Sequence, residues 1–202
     1  MGIAAEDVKR LRDMTGAGMM AAKNALVEAG GDMVRAQEIL RLAGQAGALK
    51  KAEREAKNGL IESYVHSGRI GVLVEINCET DFVARTDDFK QFAHDVAMQV
   101  AAASPAYINP EDVPEEVVEK EKELYWAELE GSQSAAGKPD DIKEQIVMGK
   151  LDQYYAAVAL MRQPFVKAPD KTIEALTKEL IAKVGENIVI RRMVRIELGE
   201  TA

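Results

Sequence analysis

The stretch from Gly68 to Glu79 constrains the fold more than any other part of the chain. Ile70, Val72, Val74, Ile76 and Cys78 occupy every second position, with Glu75, Asn77 and Glu79 between them. A period of two sends the first set to one face of a strand and the second to the other, so this segment reads as a strand with one buried face. Leu60–His66 reads as its hairpin partner across a turn at Ser67-Gly68. A third strand is expected at Ile188–Leu198, where Ile188, Ile190, Val194 and Ile196 share a face interrupted by Arg192. Two helical stripes can cover such a sheet: Phe89, Phe92, Ala93, Val96 and Val100 after Thr86, and Ile173, Leu176, Leu180 and Val184 before Gly185. An antiparallel sheet with one apolar face needs that cover, so residues 58–202 are expected to form an α+β core: a three-stranded antiparallel sheet with packed helices.

The flanking and inserted segments are helical. Residues 1–45 read as a module of three helices. Val8 and Leu11 mark the first, and Thr15-Gly16-Ala17-Gly18 turns the chain. Met19, Ala22, Leu26 and Ala29 mark the second, which ends at Gly30-Gly31. Asp32 caps a third that carries Met33, Ala36, Ile39 and Leu40 and stops near Gly44. Residues 46–57, with Lys50, Lys51, Arg54 and Lys57, read as a linker, helical or extended. Residues 111–161 interrupt the core. Val113, Val117, Leu124 and Ala127, with Lys120 in line, form one apolar seam; Val147, Leu151, Tyr154, Val158 and Met161 form another. The polar segment 131–140, with Gly137 and Pro139, separates them, which predicts an antiparallel coiled-coil hairpin.

Charge narrows the function. Twenty-six Lys and Arg against 34 Asp and Glu leave a net charge of −8. A protein that coats nucleic acid must neutralise phosphates with basic residues, so no direct nucleic-acid role is expected. The acidity is local: residues 111–130 carry nine acidic groups against Lys120 and Lys122, while Arg191, Arg192 and Arg195 make the last strand basic. The lone Cys78 can form neither an internal disulfide nor a zinc site, and no apolar run is long enough for a membrane span. A cytoplasmic protein with no membrane contact is the expectation.

Sites for covalent chemistry are sparse. Gly16-Ala17-Gly18 lacks the strand before it and the Gly-Lys-Ser/Thr ending of a phosphate loop, so it reads as a turn. His66 ends a strand as a surface group, and His94 lies off its helix stripe as a solvated one. Glu75, Asn77 and Glu79, with Asp81 beyond, read as a wet sheet face rather than a metal site. Cys78 reads as a small buried hydrophobe. No catalytic residue, metal or cofactor is expected, and the chain resembles a binding protein more than an enzyme. Thr80-Asp81-Phe82-Val83-Ala84 stands apart, because two large apolar groups occupy a connection where small polar residues are usual. One of them folds back as a staple on the next helix, or the pair is an apolar plug offered to a partner.

Thr15-Gly16-Ala17-Gly18-Met19-Met20 with Lys23, followed by Asn77-Cys78-Glu79-Thr80-Asp81-Phe82-Val83-Ala84, resembles the elongation factor Ts family. The resemblance continues through Gln163-Pro164-Phe165-Val166 and Gly185-Glu186-Asn187-Ile188. It implies an N-terminal module of the ubiquitin-associated type and a guanine-nucleotide exchange factor for elongation factor Tu, without covalent chemistry. The family's grip on the nucleotide domain of that partner carries over to Val8, Lys9, Met19, Met20 and Lys23. Its dislodging of the magnesium ion carries over to Thr80, Asp81, Phe82, Val83 and Ala84, with His66, Val166, Val184 and Gly185 near that contact. Lys167 replaces an apolar residue of long forms. Long forms also carry two related core subdomains and this chain only one. Tyr64–His66 and Gly68–Val72 resemble the second of these, and Asn77–Ala84 the first. A homodimer binding two copies of elongation factor Tu is the resulting expectation. The alternative is a helical adaptor whose first module binds a peptide or ubiquitin-like partner.

Overall fold

The computed structural model describes residues 3–132 and 138–200. Its elements are α1 (Ala5–Thr15), α2 (Met19–Glu28), α3 (Met33–Lys51), β1 (Asn58–His66), β2 (Ile70–Cys78), α4 (Asp81–Ala84), α5 (Asp87–Ala103), α6 (Glu115–Glu130), α7 (Asp140–Val158), β3 (Pro164–Phe165), β4 (Ala168–Thr172), α8 (Ile173–Val184) and β5 (Ile188–Glu197). The α+β class is as expected, with an antiparallel sheet in the order β1-β2-β5. A second, two-stranded sheet, β3-β4, was not anticipated; Pro164 pairs with Thr172 and Phe165 with Ala168. It is too short to show a period. The chain falls into two compact units, and β1, β2, α5 and β5 each begin in one and end in the other.

The first unit contains the helical module and the ends of the strands nearest it. Val8, Leu11, Ala22, Ala25, Leu26, Ala29 and Ala36 form its core, with Met33, Ile39 and Leu40 packed against them. Small alanines let three short helices approach closely, and Asp32 accepts the Val34 and Arg35 amides at 2.9 and 3.1 Å to start α3. Met19 is not part of this core; it is exposed, and Ala25 fills the buried position. The third helix does not stop near Gly44 but runs to Lys51. Gly44 serves a different purpose: a Cβ there would sit 3.0 Å from Ala182 Cβ on α8, so the glycine permits close packing of two helices. Residues 46–57 are thus helical as far as Lys51. Ala48 and Ala56 are buried, and Lys51 Nζ donates to the Ile181 carbonyl at 3.3 Å.

The second unit contains the inserted hairpin, whose arms α6 and α7 pack together. Leu129 and Val147 are buried between the arms among Tyr125, Trp126 and Ile146. The α7 seam is as expected, with Leu151 buried and Tyr154 and Val158 half-buried. The other seam is as expected only at its start, where Val113 is buried and Val117 half-buried. Leu124, Ala127 and Lys120 are exposed, and the inward line of α6 runs through half-buried Val118, Lys122 and Tyr125 to buried Leu129. The aromatic rings bury more area than an alanine can, which rotates the helix toward them. Lys150 crosses the pair, reaching Glu128 at 2.5 Å with its ammonium over the Tyr125 ring. The expected turn at Gly137 lies outside the described residues.

β5 also departs from its simple alternation. Ile188 and Ile190 are buried, yet Val194 and Ile196 are 51% and 68% exposed, while Met193 and Arg195 are half-buried. The phase of burial reverses at Arg191-Arg192, both exposed. Two charged residues in succession cannot both be accommodated by strict alternation on a one-faced strand, so the inward face changes parity there.

Gly44 and Gly47 lie on the same helix with opposite surroundings, since nothing lies within 4 Å of a Cβ at Gly47. Gly47→Ala is expected to stabilise the protein by about 0.5–1 kcal/mol through helix propensity. Gly44→Ala is expected to forfeit that gain against Ala182. Urea denaturation of the two variants checks the difference.

Candidate partner-binding site

The Thr80–Ala84 segment folds as a single helical turn, α4, rather than an open loop. Thr80 is its N-cap: backbone extended, its hydroxyl accepting the Val83 N–H at 3.4 Å. Thr86 ends the turn by donating its hydroxyl to the Val83 carbonyl at 2.8 Å, and then accepts the Phe89 N–H at 3.3 Å as α5 begins. The two members of the apolar pair differ in burial. Val83 is 5% exposed and anchors the turn, whereas Phe82 is 78% exposed. The two adjacent side chains point apart because successive residues of a helical turn are about 100° apart. Asp81 pairs with Arg85 one turn on at 2.6 Å.

The turn is held from far away in the chain. Gly185 ends α8 with φ +81°, a left-handed conformation that glycine adopts without penalty, and its N–H reaches Ile181 O at 3.0 Å. The next residue, Glu186, then meets Thr80: Oε2 accepts the Thr80 N–H at 3.0 Å and Oε1 accepts its hydroxyl at 2.6 Å. Reciprocally, Glu79 Oε1 accepts the Asn187 N–H at 2.7 Å. Asn187 is buried and donates its amide to the Ala52 and Arg54 carbonyls at 3.2 and 2.7 Å. Glu79 also faces Arg54 at 3.5 Å. The carboxylates expected on a wet face are thus engaged separately, and Asn77 is buried, donating to the Asn58 carbonyl at 3.2 Å. Among the described residues no three His, Cys, Asp or Glu groups are placed to hold a metal ion. The sequence signals Glu186 and Asn187 only through the family resemblance; no local pattern marks a carboxylate whose partner lies 106 positions away.

Cys78 is fully buried beneath this corner, its Sγ 3.1 Å from the Thr80 carbonyl. Burial, followed by the Glu186 charge, pushes its thiol up to about 11. It is the inert small hydrophobe that its alternation with Ile76 suggests.

Lys9, Met19, Met20 and Lys23 are exposed on α1 and α2. Val8 is not on that surface; it is buried in the module's core, because the helix face that carries Leu11 carries it too. Gly185 is exposed and Val184 half-buried beside Glu186, so they join the Thr80 corner within the first unit. His66 and Val166 belong to the second unit. Tyr64 Oη and exposed His66 Nδ1 lie 3.1 Å apart, and the Tyr64 ring meets His94 edge-on, so His94 is half-buried rather than solvated. Val166 sits at the β3-β4 turn, its N–H held by the buried Gln99 side chain at 2.9 Å. Lys167 beside it pairs with Asp95 at 2.6 Å.

A thiol whose acidity is suppressed by folding favours the folded state while it stays protonated. That contribution is fully present below the unfolded thiol's ordinary value, 9.0, and is lost as pH rises toward about 11. Wild type is therefore expected to lose stability relative to Cys78→Ala between these values, as read by urea midpoints at pH 8 and 10.5.

Comparison with known proteins agrees with the motifs. The family model described as elongation factor TS matches residues 46–180. Elongation factor Ts of Carboxydothermus hydrogenoformans is 57% identical over 199 residues, 98% of this chain and 90% of its own. That of Thermodesulfovibrio yellowstonii is 52% identical over 201 residues, covering 100% and 98%. That of Coprothermobacter proteolyticus is 53% identical over 201 residues, covering 99% and 100%. With both quoted motifs folded into one unit and relatives matched end to end, the chain belongs to the elongation factor Ts family, the guanine-nucleotide exchange factors of translation elongation.

Proposed function

We propose that this chain releases GDP from elongation factor Tu by using Phe82 as an apolar wedge that dislodges the magnesium ion. Members of the family partner with elongation factor Tu. The observation that carries the reading is the split between buried Val83 and exposed Phe82 on one anchored turn. A protein gains nothing for its own stability by holding an aromatic ring in water, whereas such rings dominate binding energy at interfaces.

The task requires no bond-making residue. GDP is held by a phosphate-binding loop and a metal bridge. A factor that binds the nucleotide-free partner better than the nucleotide-bound one must, by linkage, weaken nucleotide binding by the same factor. Every ~1.4 kcal/mol of that preference is about tenfold. Asp81, already paired with Arg85, stiffens the turn and does not take up the metal. Thr80, Val83 and Ala84 set the geometry. Lys9, Met19, Met20 and Lys23 supply the grip on the nucleotide domain, with Val8 supporting them from below; Val184 and Gly185 support the Thr80 corner, and His66 and Val166 are further partner-binding residues.

The chain acts as a homodimer in a 2:2 complex. Support comes from exposed apolar residues on all three strands of the main sheet: Val65 on β1, Leu73 on β2, and Val194 and Ile196 on β5. One subdomain leaves this face to water, and the same face of a second copy is apolar where this one is. Among the described residues no helix is long and apolar enough to cross a membrane. We place the activity in the cytoplasm, without cofactor, membrane or direct nucleic-acid contact.

Phe82→Ala is expected to slow stimulated release of labelled GDP by about tenfold or more, the scale of a lost aromatic hot spot, with thermal unfolding unchanged. Release at the wild-type rate would overturn the wedge. Met19→Ala and Met20→Ala are expected instead to raise the concentration needed for half-maximal stimulation. Light scattering at micromolar protein should give twice the chain mass, and a pure monomer would refute the dimer.

A further inference from the structure

We infer that Glu186 is a positioning residue for nucleotide release, acting through Thr80 to keep the Phe82 turn in its outward geometry. The inference rests on reading Phe82 as the wedge. The turn is weakly held at its first residue. Four residues are below the length at which helix propagation repays nucleation, and the bonds that Thr80 accepts from the turn are long, Ala84 N–H to Thr80 O and Val83 N–H to Thr80 Oγ1 both at 3.4 Å, whereas Thr86 and the Asp81–Arg85 pair secure its far end. An apolar ring left in water on so weak a turn has an obvious competitor, the rotation that brings Phe82 inward.

Glu186 opposes that rotation at the turn's first residue. A carboxylate is an acceptor at both oxygens, so it receives the Thr80 N–H and hydroxyl together, at 3.0 and 2.6 Å. Because the hydroxyl proton is committed to Glu186, the oxygen lone pairs face the Val83 N–H, and Thr80 is fixed in the rotamer that caps the turn. Bonds to a charged acceptor are roughly twice as strong as neutral ones, which makes this the firmest contact that Thr80 makes. Glu186 is itself fixed. Gly185 redirects the chain before it, and Asn187 after it is tied to Glu79, Ala52 and Arg54. Phe82 is therefore oriented by an anchored corner and not by its own four-residue helix.

The test uses the full-length chain and three variants, Glu186→Gln, Thr80→Val and Phe82→Ala. Labelled GDP release from elongation factor Tu is titrated with each. Glutamine keeps the shape of Glu186 but presents an NH2 group to one of the two Thr80 donors. Glu186→Gln is expected to lower the maximal stimulated rate about tenfold, the scale of a lost charge-assisted hydrogen bond, with the half-saturating concentration unchanged. On a Thr80→Val background the same substitution is expected to add little, since the two act as one unit. Labelling with fluorophenylalanine gives a second readout, because the chain has four Phe. The Phe82 fluorine signal, identified by its loss in Phe82→Ala, should shift in Glu186→Gln while those of Phe89, Phe92 and Phe165 stay in place. Should all four signals move, Glu186→Gln has disturbed the fold, and Thr80→Val, which removes only the hydroxyl, carries the same expectation in its place. If Phe82→Ala is slow but Glu186→Gln matches wild type in rate and Phe82 signal, the positioning role fails and the wedge stands. A raised half-saturating concentration at unchanged maximal rate also overturns it, making Glu186 a direct contact. If Phe82→Ala releases GDP at the wild-type rate, wedge and positioning role fall together.

Discussion

Two carboxylates cross between chain segments more than a hundred residues apart, and the exposed corner of the molecule depends on them. Glu186 holds the backbone and hydroxyl of Thr80, and Glu79 holds the backbone of Asn187. Each acidic side chain caps the segment that bears the other. This arrangement satisfies the backbone donors left unpaired where a strand gives way to α4 and where α8 gives way to β5. It also ties the end of α3 into the same corner through Asn187. The module that carries Met19 and Met20 and the turn that carries Phe82 consequently belong to one compact unit.

How legible a segment was depended on whether its period had a single cause. In β2 and α5 one buried face sets the pattern, so Val72, Val74, Ile76, Phe89, Phe92 and Val96 were placed correctly from spacing alone. In β5 the pattern is set by two faces. Val194 and Ile196 continue the parity of Ile188 and Ile190, but they are exposed beyond the arginine pair. Hydrophobicity alone does not say which side of a sheet a residue faces. In α6 the competition lay between residue sizes. Leu124 and Ala127 satisfy a 4-3 spacing as well as Tyr125 and Leu129 do, and the larger surfaces are the ones buried.

The candidate site was legible in part for the same reason. Thr80–Ala84 stood out because it violates turn chemistry, and a violated local rule is a common mark of function. Which of Phe82 and Val83 faces water was not readable, because either assignment satisfies a one-turn helix. Glu186 was less readable still. A half-buried glutamate after a helix-ending glycine has an ordinary local role, and only the fold brings it to Thr80. Gly44 is the converse case. Its local reading as a helix stop was reasonable, and the close approach of Ala182 supplies the actual reason for it.

These observations bear on how an exchange factor can act without chemistry of its own. Binding energy that displaces another protein's ligand is diminished by any disorder the wedge must first surrender. A free aromatic on a mobile loop would lose rotamer and backbone freedom on insertion, and that loss would subtract from the preference for the nucleotide-free partner. Here the backbone of the turn is already ordered on folding. Val83 and Ala84 are buried, Thr80 is bonded at its N–H and hydroxyl, and Phe82 stays in water. If Phe82 is the wedge, little of its contact energy is spent on ordering, and the part of that energy that favours the nucleotide-free partner weakens the grip on GDP.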